Sequence, residues 1–254
     1  MLTEERQKLI LEELNKNSVV YVSDLVKKLD ASESTIRRDL NSLNAEGKLK
    51  KVHGGATLVE KEFNTKDDDI SIRENLNIED KAVIAKYAAS LVTKNDFVYI
   101  DSGTTTNLII DYLEETNAVY VTNGINQAKR LISKGFTTYI IAGEIKATTE
   151  AVVGIEAINS LKKYNFTKGF FGTNGISEYR GFTTPDIKEA LVKEEAIKRT
   201  RNPYILSDKT KFNEISCITF AEIDEAVIIT NELEDTRYYD KTEVVEVLKL
   251  WYIL

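Results

Sequence analysis

From Phe97 to Ile229 the sequence alternates short β-branched or aromatic runs with stretches of helical period, and no other feature restricts its fold so strongly. The strand candidates are Phe97 to Ile100, Ala118 to Val121, Thr138 to Ala142, Gly169 to Phe171, Tyr204 to Leu206 and Ala226 to Ile229. Strands that recur with helices between them predict an α/β fold with a largely parallel sheet. Polar clusters follow most of them: Asp101 to Thr106, Thr122-Asn123-Gly124, Gly143-Glu144, Thr173-Asn174-Gly175 and Ser207 to Lys211. Ligands of open α/β sheets sit at the carboxyl ends of strands, so these clusters are expected to converge on one small-molecule crevice.

Asp101-Ser102-Gly103-Thr104-Thr105-Thr106 reads either as an anion cradle or as an ordinary capped strand-to-helix turn. Successive N–H groups and threonine hydroxyls suit phosphate oxygens, with a helix expected to start at Thr106-Asn107. No Gly-Lys-Ser/Thr closes it and no further glycines follow, so it is neither a Walker A loop nor a dinucleotide fingerprint. Thr-Asn-Gly-Ile occurs at Thr122 to Ile125 and again at Thr173 to Ile176; we read Gly124 and Gly175 as turn residues, with two matched strand ends as the other possibility. Lys193 and Lys211 are either charge partners for a phosphate or plain surface lysines.

The first sixty residues have a different pattern. Thr3 is expected to cap a helix that runs to about Lys16, with Ile10 and Leu14 one turn apart. Val22, Leu25, Val26 and Leu29 form a second amphipathic stripe, and Ile36, Leu40 and Leu43 a third, capped by Ser32. On the third helix Ser34, Arg38, Asn41 and Ala45 face away from Ile36, flanked by Thr35 and Arg37. Arginines and small hydroxyls on such a face suit a DNA major groove. After Gly47, Lys48 to Ala56 reads as a basic β-hairpin, with Lys48, Lys50 and Lys51 placed for phosphates and Gly54-Gly55 at its turn or exit. A generic three-helix module with solvated arginines is the other reading. His53, the only histidine, suits a wing contact or a structural role, and it leaves nothing for a histidine-based triad or zinc site.

Charge is distributed to match. The net charge is -7, yet residues 1–56 hold 10 Lys and Arg against 9 Asp and Glu, which leaves about -8 for the remainder. A single cysteine, Cys217, rules out an internal disulfide. The acidic opening Met1-Leu2-Thr3-Glu4-Glu5 and the lack of any long apolar run lead us to expect a cytoplasmic protein without a secretory signal. Residues 1–57 are expected to form a winged helix-turn-helix, 58–77 a polar linker partly helical towards Arg73, and 78–254 the α/β domain. That domain would start with a helix over Asp80 to Thr93 and end in an apolar tail, Val244 to Leu254, that is either core or subunit interface.

Ser32 to Leu40, Gly47 and Val52-His53-Gly54-Gly55-Ala56 together resemble the signature of DeoR-type repressors. Tyr99 to Thr105, Val121-Thr122-Asn123, Gly143-Glu144 with Thr149, Gly181 to Thr184 and Leu206 to Phe212 resemble the sensor domain of the same regulators. The resemblance implies DNA contacts from Arg37 and Arg38, a wing ending at His53, and a Rossmann-like sensor similar to sugar-phosphate isomerases. It implies effector contacts at Asp101, Thr104, Thr105, Asn123, Thr149, Lys193, Asp208 and Lys211. Two departures are visible: Ala142-Gly143 where many members have two glycines, and Ser207 where many have alanine. Within the family, Met1 to Arg6 and Ser34 to Arg38 are most similar to fructose-operon repressors of Gram-positive bacteria, which implies fructose 1-phosphate as effector.

The resulting expectation is a non-enzymatic repressor of a sugar operon, homodimeric or homotetrameric, with no metal or cofactor, released from operator DNA by a phosphorylated sugar. The competing expectation is a sugar-phosphate isomerase or deaminase with a DNA-binding-like head, in which Asp101, Glu144 and Asp208 shuttle protons.

Overall fold

The computed structural model describes residues 1–57, 65 and 70–250, whose contacts gather them into an N-terminal unit and a larger C-terminal one. Most of the segment expected as a linker, 58–64 and 66–69, lies outside the described residues, as do 251–254 of the apolar tail.

The N-terminal unit runs α1 (Thr3–Asn17), β1 (Val19–Tyr21), α2 (Val22–Leu29), α3 (Glu33–Ala45), β2 (Lys50–Val52) and β3 (Gly55–Thr57). Its core is Ile10 and Leu14 of α1, Leu25 and Leu29 of α2, and Ile36, Leu40 and Leu43 of α3, joined by Val20, Leu49 and Ala56. Ser32 caps α3 by accepting from the Thr35 N–H at 3.2 Å. Thr3 is not the cap of α1: it is the first helical residue, Leu2 precedes it, and no side chain caps the helix. The wing has three strands rather than two, because β3 pairs antiparallel with both β2 and β1. The third strand, β1, is three residues long, too short to display the period-two pattern that marks a strand. Gly54 makes the turn at φ +81°, while Gly55 lies in β3, where a Cβ would stand 1.9 Å from the Val20 carbonyl oxygen. Glycine is therefore what lets β1 close on the hairpin.

The C-terminal unit begins with α4 (Ile70–Glu74), α5 (Ile78–Ser90), β4 (Phe97–Ile100), α6 (Thr104–Tyr112), β5 (Val119–Thr122), α7 (Ile125–Ser133) and β6 (Thr137–Ile140). A hairpin, β7 (Glu144–Lys146) and β8 (Ala151–Val153), leads to α8 (Ile155–Leu161) and β9 (Phe166–Gly172). Then come β10 (Gly175–Ser177), β11 (Gly181–Thr184), α9 (Ile187–Lys198), β12 (Thr200–Leu206) and β13 (Ile218–Ala221). The described chain ends with β14 (Val227–Thr230), β15 (Val244–Glu246) and α10 (Val247–Leu250). Seven strands form one parallel sheet in the order β15-β14-β12-β9-β4-β5-β6. The chain winds outward from β4 to β6, then returns to the other side of β4 at β9, so the switch point lies between β4 and β9.

Period-two alternation divides the core into two layers. Ile100, Phe170, Leu206 and Ile229 pack with Ile84 and Ala88 of α5 and Ile109 of α6. Their neighbours Tyr99, Phe171, Ile205 and Ile228 pack with Ala157 of α8 and Ala190 and Ala196 of α9. Helices α5 and α6 thus cover one face of the sheet, and α8 and α9 the other.

Below the opposite, amino-terminal edge of the sheet Asp96 staples β4 to β9. It accepts from the Thr93 N–H (2.7 Å), from Lys168 Nζ (2.5 Å) and from Thr167 Oγ1 (2.7 Å). Burial alone would raise its pKa, but these bonds, that of Lys168 foremost, bring it down to about 2. A folded-state pKa below the unfolded value near 3.9 contributes stability above about pH 4 that is lost as pH falls towards 2, on the order of 2 kcal/mol here. Asp96→Asn should therefore flatten the fall in urea midpoint between about pH 4 and pH 2; an unchanged acid limb would assign that fall to other carboxylates.

Candidate functional site

On α3 the buried stripe of Ile36, Asp39, Leu40 and Leu43 leaves Ser34, Arg37, Arg38 and Asn41 exposed on the other side. The hydroxyl of Ser32 lies 2.9 Å from that of Ser34 and 2.8 Å from that of Thr35, a polar cluster at the helix N-terminus. Arg37 folds back on Glu33 through Nε (2.9 Å) and Nη2 (2.6 Å), a solvated i,i+4 pair worth only ~0.3–0.5 kcal/mol and therefore easily given up. The wing is seated on this helix: Lys51 Nζ donates to Asn41 Oδ1 at 2.6 Å, and the Lys51 N–H to Asn44 Oδ1 at 2.8 Å. Lys48 pairs with Glu46 at 2.8 Å, and Lys50 and His53 are exposed. The residues expected on DNA thus share one exposed helix face and the wing beside it.

What fixes this face lies behind it. Arg6 of α1, 7% exposed, forks onto the Asp39 carboxylate through Nε and, at 3.1 Å, Nη2. Sequence reasoning missed the pair, because nothing in α1 marks Arg6 as buried.

At the switch point of the C-terminal unit a crevice opens over the carboxyl ends of β4, β9 and β12. Its floor is Ser102-Gly103-Thr104-Thr105 after β4, Gly172-Thr173-Asn174 after β9, and Leu206-Ser207-Asp208 after β12. Lys211, Thr149 of the β7–β8 hairpin, and Glu189 and Lys193 of α9 complete it on further sides. Arg73 and Leu76, with Asn77 and Lys81, close it from the α4–α5 segment.

Of the residues expected on the effector, Ser102, Gly103, Thr104, Thr105, Thr149, Lys193, Asp208 and Lys211 line this crevice, and Asp101, Thr106, Asn123 and Gly143 do not. Asp101 lies beneath the floor, fully buried, its Oδ2 accepting from the Gly172 N–H (3.0 Å) and from Lys193 Nζ. The Thr106 hydroxyl is spent inside the loop, on the carbonyls of Asp101 (2.6 Å) and Gly103 (2.8 Å). Accordingly α6 begins at Thr104, two residues earlier than the sequence suggested, and points its first turn into the crevice. Asn123 is buried behind Ser102, with Nδ2 3.4 Å from that hydroxyl. Gly143 precedes the β7–β8 hairpin at φ +150°. Gly124 and Gly175 are not positive-φ turn residues: Gly124 caps α7, where a Cβ would meet Gln127 Oε1 at 1.9 Å, and Gly175 opens β10, 2.4 Å from the Glu214 carbonyl oxygen by the same measure.

Thr173 and Asn174 belong to a strand-end cluster that the sequence pointed to the crevice, but sequence reasoning passed over Arg73, Asn77, Lys81 and Glu189 as site residues. A signal existed for two of them. Lys81 lies on the buried stripe of α5 with Ile84, Ala85 and Ala88, and Glu189 shares that of α9 with Val192, Lys193 and Ala196. Charged residues on an apolar stripe are seldom buried without a partner or a role. Burial pushes the Lys81 amine down, Asp208 draws it back up, and Lys211 and Arg73 depress it further, which shows how closely the cations crowd. Lys81 Nζ also donates to the Arg73 carbonyl.

Two family models match the chain, the DeoR-like helix-turn-helix domain over residues 6–62 and the DeoR C terminal sensor domain over residues 76–232. The chain is 42% identical over 252 residues to the uncharacterized HTH-type transcriptional regulator FruR of Bacillus subtilis, covering 98% of this chain and 100% of that one. It is 31% identical over 229 residues to the lactose phosphotransferase system repressor of Staphylococcus aureus, covering 87% and 89%. Among solved structures, a ribose 5-phosphate isomerase A from Methanocaldococcus jannaschii superposes with a TM-score of 0.41 at 15% identity, over 54% of this chain and 55% of that one. Since both models match in order, and the relatives run along nearly the whole chain, this protein belongs to the DeoR family of transcriptional regulators.

Proposed function

We propose that this protein represses a sugar-utilisation operon and leaves its operator when a sugar phosphate fills the crevice. The observation that carries this reading is the crowding of Arg73, Lys81 and Lys211 beside the first turn of α6. Cations and a helix N-terminus together form a receptor for a phosphate dianion, and the floor around Thr104, Thr105 and Asn174 offers polar partners for hydroxyls. The kinship with a lactose phosphotransferase system repressor supports a sugar as the signal. The likeness to fructose-operon repressors makes fructose 1-phosphate the first effector to test.

In this reading Ser32, Ser34, Thr35, Arg37, Arg38 and Asn41 meet the major groove, and Lys48, Lys50, Lys51 and His53 hold phosphates beside it. A homodimer or homotetramer supplies paired heads for a palindromic operator. The protein acts in the cytoplasm; among the described residues no helix is long and apolar enough to cross a membrane.

The carboxylates expected to shuttle protons argue against that role, since each is already paired. Asp101 holds Lys193, Asp208 accepts from the Thr210 N–H (2.9 Å), and Glu144 pairs with Lys188 at 2.7 Å. The one histidine, His53, is in the wing.

Thermal-shift titration against a sugar-phosphate panel, coupled to operator binding by fluorescence anisotropy, tests the proposal. A cognate effector at a hundred times its Kd should stabilise the native state by ~2.7 kcal/mol and release DNA over the same concentration range. Lys81→Met should weaken that effector at least tenfold while leaving operator affinity intact. Turnover of the sugar phosphate, or release by unphosphorylated sugar alone, would sink the reading.

A further inference from the structure

The two long walls of the crevice carry opposite charge. On the α5–α6 face stand Arg73, Lys81 and Lys211, and the carboxylates of Asp208 and Glu74 act on Lys81 from beside them. On the α9 face the order is reversed. Glu189, 7% exposed, accepts through Oε1 from Thr149 Oγ1 (2.7 Å) and Lys146 Nζ (3.1 Å), and Lys146 is shared with Asp186, again at 3.1 Å. Lys193, the other cation on this side, is neutralised by Asp101. Of the charged residues that line this side, Lys193 is thus already neutralised, and the Glu189 carboxylate sets the sign of the wall.

Bonding capacity follows the same division. Both bonds to Glu189 use Oε1, which leaves Oε2 as an acceptor at the crevice wall. Across the floor, Asn174 accepts from Thr184 Oγ1 through Oδ1 (3.2 Å), so its amide NH2 is turned to donate. An acceptor and a donor in the lining of one crevice match sugar hydroxyls, which both give and take hydrogen bonds. They do not match a phosphate, which takes only. A second phosphate brought to this end would be desolvated next to a buried carboxylate, an arrangement that rejects ligands strongly.

We propose that the effector spans the strand ends in a single orientation, its phosphate on the α4–α5 wall and its far hydroxyls on Glu189 and Asn174, and that Glu189 thereby selects sugar monophosphates over bisphosphates. This inference rests on the sugar-phosphate reading of the crevice. It adds a direction to the ligand and a specificity residue. Thr149 and Lys146 are positioning residues that hold the Glu189 carboxylate in the wall.

Isothermal titration of the full-length protein with fructose 1-phosphate, fructose 1,6-bisphosphate and inorganic phosphate tests it. The wild type should bind the bisphosphate at least tenfold more weakly than the monophosphate. Glu189→Gln keeps the shape and the Thr149 bond but removes the charge, and it should narrow that gap to threefold or less without altering the affinity for inorganic phosphate. Lys81→Met should weaken all three probes together. Thr149→Val, which loosens the carboxylate without deleting it, should narrow the gap part of the way and guards against a Glu189→Gln protein that folds poorly.

Equal binding of monophosphate and bisphosphate by the wild type overturns the orientation. So does a Glu189→Gln protein that loses inorganic phosphate, because that would put the phosphate at the α9 wall. If none of the three probes binds, the sugar-phosphate reading itself falls and takes this inference with it; if monophosphate and phosphate bind without the gap, only the orientation falls.

Discussion

Asp39→Ala is expected to unfold the DNA-reading domain while the sensor domain stays folded. The carboxylate lies under α3, 1% exposed, and holds the guanidinium of Arg6 from α1. Without it the guanidinium remains buried, with only the Met1 carbonyl (3.4 Å) and the Thr3 hydroxyl (3.5 Å) at the margin of hydrogen bonding. Stranding one partner of a buried ion pair costs ~3–5 kcal/mol. A domain of this size rarely has more than about 5 kcal/mol to lose. Hydrogen exchange should show protection vanishing from α1, α2 and α3 but persisting in β4, β9 and β12. Operator binding should disappear, whereas stabilisation by effector should survive. The paired replacement Arg6→Met with Asp39→Leu tests the cause, since removing both charges together should recover most of the loss. Retained protection in α1 and α3 of the single variant would show that the pair is dispensable.

Removing the two exposed arginines acts on recognition instead. Arg38 faces solvent, and Arg37 is held only by the surface pair with Glu33. A bidentate arginine–guanine contact contributes ~1–3 kcal/mol of discrimination. Arg37→Ala with Arg38→Ala should therefore cost on the order of a hundredfold or more in operator affinity, counted over the two heads of a dimer. Binding to unrelated DNA should fall far less. Lys50→Ala is the contrast: it should weaken all sequences about equally and lower the salt slope by roughly one per head. A double-arginine variant that still prefers its operator by the wild-type ratio would move base reading elsewhere.

Legibility of the sequence tracked burial and length. β4 was readable to the residue because Phe97 to Ile100 is an unbroken apolar run between polar turns. The neighbouring strand was placed one residue early, at Ala118 rather than Val119, since a buried alanine looks like the start of a strand. The short strands β7, β10 and β11 escaped notice because they form through pairing and not through a pattern of their own. On α5 the expected stripe of Val83, Ile84, Tyr87, Ala88 and Leu91 is rotated from the buried one, whose members include Lys81, Ala85 and Ala89. The loop after β4 and Lys211 were recognisable as polar residues at strand ends, and Lys193, in the middle of α9, through the resemblance to the sensor domain. Arg6 was not, because a charged side chain reads as solvated until the elements around it are assembled; Lys81 and Glu189 left a signal only in their places on the apolar stripes of α5 and α9.

The wall proposed to take the phosphate has a consequence for how such regulators can be taken apart. Arg73 lies on α4, 16 residues beyond Thr57 at the end of β3 and upstream of residue 76, where the sensor-domain match begins. A sensor fragment cut at that match would lack one of its three cations. Chimaeras that exchange DNA-binding heads should be joined before Ile70; a junction further downstream transplants part of the ligand receptor with the head. Regulators recombined at such a downstream junction would then change what they sense whenever they change where they bind.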